Sequence, residues 1–211
     1  MFDMVFCLRF NFWPDIAAEW LEKERHWPDP ETVCEIRYIG CTLVRKSIGS
    51  EENTWRTSFS QAEGILANHQ SPFQKKSYFL AGLETSDLLD SESERKLSFY
   101  HLKTAFLFTL ENTPKEEFEK LEQTKDYLKL AFLMFGRLSQ ALKNGYVPCL
   151  FVPEMNLLHG FSQSYLINIV NRFDNLFKSD TFVENLVVKS FKKARILTYF
   201  LEDGIKNISF M

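Results

Sequence analysis

Apolar and polar residues alternate one by one at the start of the chain. Phe2, Met4, Phe6, Leu8 and Phe10 share one parity, and Asp3, Val5, Cys7 and Arg9 share the other. A period of two predicts a β-strand, with both faces mostly covered and Asp3 at its beginning. The period then changes. Trp13-Pro14-Asp15 opens a short helix to about Arg25, and Asp29-Pro30 begins a second that Gly40 ends. An acidic cap, a proline in the first turn and a glycine just past the end are the expected terminators. Cys41 to Arg45 reads as a short strand and Gly49 to Asn53 as a solvated loop, although the latter contains Gly-Ser and two carboxylates.

After Thr54 the pattern is helical almost throughout. Ser60 with Glu63 has capping-box spacing, Ser71-Pro72 starts another helix, and Ser98 caps a third running to about Asn112. Pro114 begins a fourth. Thr124 to Lys143 reads as one long amphipathic helix stopped by Asn144-Gly145, and Pro148 and Pro153 forbid a regular helix immediately beyond. Further helices are predicted at about Ser164 to Phe177 and Thr181 to Leu201. The expected class is α+β, mostly α: a short strand-bearing start followed by a helical bundle.

Composition narrows the candidate chemistry. The 211 residues are 45% hydrophobic and include 21 Phe, enough for a large aromatic core. The net charge of −3 gives no overall attraction to nucleic acid. Basic residues cluster only at Lys75-Lys76 and at Lys189, Lys192, Lys193 and Arg195, the latter interleaved with apolar residues as in a packing helix. Double-stranded nucleic acid is therefore a weakly supported partner. Cys7, Cys34, Cys41 and Cys149 lack the spacing of a zinc site and suggest buried thiols in a reducing, cytoplasmic setting. No apolar run is long enough to cross a membrane, and no membrane partner is expected.

Five short runs carry more specific information. They are Trp13-Pro14, Trp27-Pro28, Trp55-Arg56-Thr57-Ser58-Phe59-Ser60-Gln61-Ala62-Glu63, Ser98-Phe99-Tyr100-His101-Leu102-Lys103-Thr104, and Phe151-Val152-Pro153-Glu154-Met155-Asn156-Leu157. In this order, over roughly residues 2–176, the chain resembles the cyclic GMP-AMP synthase-like (Mab twenty-one) nucleotidyltransferase family, chiefly its C-terminal helical lobe. The resemblance implies three parts: residues 1–54 as a remnant of the catalytic lobe, 55–178 as the helical domain, and 179–211 as a C-terminal helix and tail.

In such enzymes three carboxylates hold two Mg2+ or Mn2+ ions that stabilise phosphoryl transfer. Asp3 matches the third carboxylate, which makes it the implied metal-binding and catalytic residue. The other two would precede it by many tens of residues, so this chain alone is expected to be inactive and to bind no metal tightly. The resemblance further implies that Arg56, Ser60 and Glu63 contact a nucleotide base or sugar and that Tyr100 stacks on a base. Local physics offers simpler readings: Ser60 and Glu63 as a capping box, Trp55 and Phe59 as core.

Two departures weaken the implied phosphate site: Phe99 replaces a serine, and Leu80-Ala81-Gly82-Leu83 lacks a lysine. The run after His69 has no cysteine, so a zinc-bearing thumb is not expected. A complete family member would join ATP and GTP into a cyclic dinucleotide during innate immune sensing of nucleic acid. The alternative is a non-catalytic module for protein interaction or nucleotide binding.

Overall fold

The structure, a computed structural model, describes residues 7–48, 51–89 and 97–178. Asp3 and the helix expected at 181–201 lie outside the described residues. The chain divides between Gln70 and Ser71 into two compact units.

The first unit begins with β1 (Cys7–Phe10), a 3-10 turn (Asp15–Ala17) and α1 (Ala18–Glu22), continues through α2 (Pro30–Ile39), β2 (Cys41–Ile48) and β3 (Glu51–Ser58), and ends on α3 (Ser60–Asn68). The three strands form an antiparallel sheet in the order β1-β2-β3. Two expectations are corrected here. Glu51 to Asn53 belong to a strand, not a loop, and Trp55 to Ser58 continue that strand. Thr54-Trp55-Arg56-Thr57 suits a strand by composition, but what selects it is pairing with β2, which no local pattern displays. Trp55 is 43% exposed and so is not core. The expected domain boundary after residue 54 falls inside β3, whereas the two units part after α3.

Helix α2 forms as its sequence predicts. Asp29 Oδ1 accepts a hydrogen bond of 2.8 Å from Thr32 N, and Pro30 occupies the first turn. That bond, with the Thr32 hydroxyl, holds the Asp29 carboxyl below its ordinary pKa, against a smaller opposing effect of burial. Gly40 ends the helix at φ 69°, and a Cβ built there would lie 2.0 Å from the Phe10 carbonyl oxygen. Only glycine allows the chain to pass so close to β1. Trp13 packs its ring on Trp20 and Phe59, at centroid distances of 5.8 and 5.2 Å, over buried Ala17, Ile36, Ala62 and Leu66. The expectation of four buried thiols holds for half of them: Cys41 and Cys149 are buried, Cys7 and Cys34 exposed.

The second unit contains α4 (Pro72–Leu89), α5 (Phe99–Asn112), α6 (Lys115–Thr124), α7 (Tyr127–Lys143) and α8 (Gln163–Lys178). Helix α4 starts with a reciprocal cap: Ser71 N donates to Gln74 Oε1 at 2.9 Å, and Gln74 N to Ser71 Oγ at 3.3 Å. Helix α7 packs against α4, α5, α6 and α8. Its buried Leu130, Met134, Phe135, Leu138 and Leu142 recur at helical spacing and meet Phe106, Leu110 and Phe173 in the core. The predicted helix from Thr124 starts later because Lys125 turns left-handed (φ 54°) and Asp126 caps Lys129 N at 3.0 Å. Among the described residues no helix is long and apolar enough to cross a membrane.

Candidate functional site

The implied nucleotide contacts of the first unit gather at the corner where β3 becomes α3. Arg56 lies opposite Val44, which pairs with Cys7 on its other side, so Cys7, Val44 and Arg56 share one sheet face. On that same face Arg9 lies in the row Arg9–Thr42–Ser58. Arg9 and Arg56 are both exposed. Alternation alone placed Arg9 on its face of β1; only the register brings it into the company of Arg56.

The capping-box reading of Ser60 and Glu63 is overturned. Ser60 is the first residue of α3, Phe59 precedes it, and no side chain caps the helix. The nearest substitute is Ser58 Oγ, which accepts from Ser60 N at 3.4 Å. Ser60 therefore presents an exposed side chain with no capping duty, while Glu63, one turn on, is 9% exposed. At the other end of α3, His69 reaches back to α2. Its Nδ1 lies 3.1 Å from Thr32 Oγ1 and its Nε2 lies 3.1 Å from Glu35 Oε2. Thr32 gives its hydroxyl proton to Asp29.

In the second unit Tyr100 stands in the first turn of α5, 37% exposed, beside Phe99 at 54%. The Lys103 ammonium lies 5.2 Å from the Tyr100 ring centroid, a cation–π distance. The next residue, His101, faces inward and fixes the turn. Its Nδ1 accepts from Ser98 N at 3.1 Å, so the proton sits on Nε2, 3.4 Å from the Leu157 carbonyl. Burial holds the His101 pKa below its ordinary value, opposed by its contacts with Leu157 and Ser98.

Leu157 belongs to the Phe151–Leu157 run, which forms a compact loop organised by Asn156. The Asn156 Oδ1 accepts from Val147 N at 3.1 Å and Leu158 N at 3.0 Å, and its Nδ2 donates to the Gly145 carbonyl at 2.9 Å. The run meets α5 through the Leu157 carbonyl, and Asn156 has a folding role within it.

Among the described residues no three His, Cys, Asp or Glu side chains are placed to hold a metal ion.

Among the described residues, the first unit is a small antiparallel sheet with helices and the second is five helices, a strand-bearing domain followed by a helical one. Two family models match the chain in the same order. The Mab-21 protein nucleotidyltransferase domain covers residues 2–69 and the Mab-21 protein HhH/H2TH-like domain covers residues 77–175. The chain belongs to the Mab-21 family. It is similar to "Protein mab-21-like" of Aedes aegypti, with 28% identity over 166 residues, 75% of this chain and 44% of that protein. It is similar also to "Protein mab-21-like" of Anopheles gambiae, with 30% identity over 169 residues and the same two coverages. The chain thus spans less than half the length of these curated relatives.

Proposed function

We propose that this chain is the nucleotide-recognition portion of a Mab-21-family nucleotidyltransferase-like protein, and that it performs no nucleotidyl transfer alone. The observation that carries the reading is Arg56. It is exposed on a strand that leads directly into α3, and its planar donors suit the edge or face of a purine. Ser60, Glu63 and Tyr100 are the other residues assigned to recognition, Tyr100 offering a flat ring on which a base can stack.

In the complete protein, Asp3 would join two further carboxylates around Mg2+ or Mn2+, with ATP and GTP as substrates and a cyclic dinucleotide as product. The setting would be cytoplasmic innate immune sensing, with double-stranded nucleic acid the activator that the chain's charge supports least. The competing reading is a non-catalytic module for nucleotide binding or protein contact.

Titration of GTP and ATP into the 211-residue chain, followed by Tyr and Trp fluorescence and by NMR, tests recognition. Binding near 1 mM, about 4 kcal/mol, that weakens in both Arg56→Gln and Tyr100→Ala is expected. Micromolar binding untouched by either substitution would remove these residues from the site. Full-length protein that binds nucleotide yet makes no dinucleotide with either metal would favour the non-catalytic reading.

A further inference from the structure

The sheet of the first unit has two unlike faces. One carries Leu8, Phe10, Cys41, Leu43, Trp55 and Thr57, apolar apart from Arg45 and the threonine. On the other, the rows Arg9–Thr42–Ser58 and Cys7–Val44–Arg56 lie side by side, with Thr54 beyond. None of the described strand side chains on this second face is acidic. Neither Arg9 nor Arg56 has an ion pair or hydrogen bond within the described residues, and both are exposed.

Two guanidiniums with no ion pair among the described residues, on a face whose described side chains include no carboxylate, repel each other and attract one multivalent anion. Their Cα atoms are two strands apart and offset by two residues, which places them roughly 12 Å from each other given strand spacing and rise. Two arginine side chains spanning that gap can converge on neighbouring oxygens of one extended anion. Guanidinium groups suit phosphate by shape as well as charge, and the Ser58 hydroxyl, on the same face two residues along β3 from Arg56, is a further donor.

We infer that Arg9 is a phosphate-binding residue, and that Arg9 and Arg56 together hold a nucleotide whose polyphosphate lies across β2. The inference rests on the nucleotide-recognition reading of Arg56 and extends it across β2 to a residue of β1.

The test titrates the intact chain with GTP, guanosine and inorganic tripolyphosphate, reading amide and arginine side-chain shifts by NMR. Wild type is compared with Arg9→Gln, Arg9→Lys and Arg56→Gln. Both sites are exposed, and circular dichroism confirms that each variant folds. Arg9→Gln should weaken GTP and tripolyphosphate at least fivefold and leave guanosine unchanged, with Arg9→Lys recovering part of the loss. Loss of GTP binding in Arg56→Gln but not in Arg9→Gln would overturn the role of Arg9 and leave the nucleotide reading standing. No binding of GTP by wild type up to 10 mM, about ten times the expected dissociation constant, would overturn both. A single-stranded oligonucleotide that binds more tightly than GTP, and weakens in Arg9→Gln, would also overturn the inference by making the pair a reader of nucleic-acid backbone.

Discussion

Asn156 and His101 show how much of this chain's motif content belongs to folding. Asn156 satisfies three backbone groups from one half-buried side chain. Asn156→Ala leaves those groups to find other partners, and an unfolding midpoint in urea should reveal a loss of about 2 kcal/mol. His101 makes a subtler prediction. Its folded pKa is depressed by burial, so near the ordinary value of 6.5 the unfolded chain binds the extra proton. Its contribution to stability is then fully present above about pH 6.5 and is lost as pH falls through the lower folded value. His101→Gln keeps an acceptor for Ser98 N but removes the titration. Thermal midpoints compared at pH 7.5 and pH 5.5 should fall less in the variant than in wild type. An equal fall would mean that His101 is protonated in the native state.

Helix starts and stops were the most legible part of the sequence because they are decided within four residues. Asp29, Pro30 and Gly40 around α2, and Ser71 with Pro72 at α4, act as their spacing predicts. The misread segments depend on something distant. Trp55 to Ser58 became the end of β3 because β2 pairs with it, and Ser60 then fell one position too late to cap α3. The strand-favouring composition of residues 54–57 does not by itself decide between a cap at Ser60 and a strand end followed by a helix. Arg9 was missed for the same reason, since a register cannot be read from one strand. Where local and distant constraints coincide, a single position becomes intolerant. At Gly40 the positive φ and the approach of the Phe10 carbonyl act together. Gly40→Ala should cost on the order of 1–3 kcal/mol from the backbone conformation, and more from the clash, which requires β1 to shift. A chemical-denaturation midpoint should fall accordingly, with the losses in NMR signal dispersion concentrated in β1 and β2.

The two units divide the proposed recognition residues between them, Arg56, Ser60 and Glu63 in the first and Tyr100 in the second. Recognition and catalysis make different demands on a chain. Recognition needs stacking surfaces and donors, which Arg9, Arg56 and Tyr100, all exposed, would supply under the proposed reading. Transfer between phosphates needs charge neutralisation by metal ions held on several carboxylates, and no such cluster exists among the described residues. Asp3, the one residue matched to that duty, cannot hold two ions alone. The purified chain incubated with ATP, GTP and either Mg2+ or Mn2+ should therefore yield no cyclic or linear dinucleotide above a protein-free control, measured by chromatography with mass detection. Binding of GTP in the same preparation shows that the protein is folded and competent, so a negative result speaks to chemistry. Turnover that disappears in Asp3→Asn would demonstrate that further metal ligands lie within these residues. Turnover that survives Asp3→Asn would point to a contaminating enzyme.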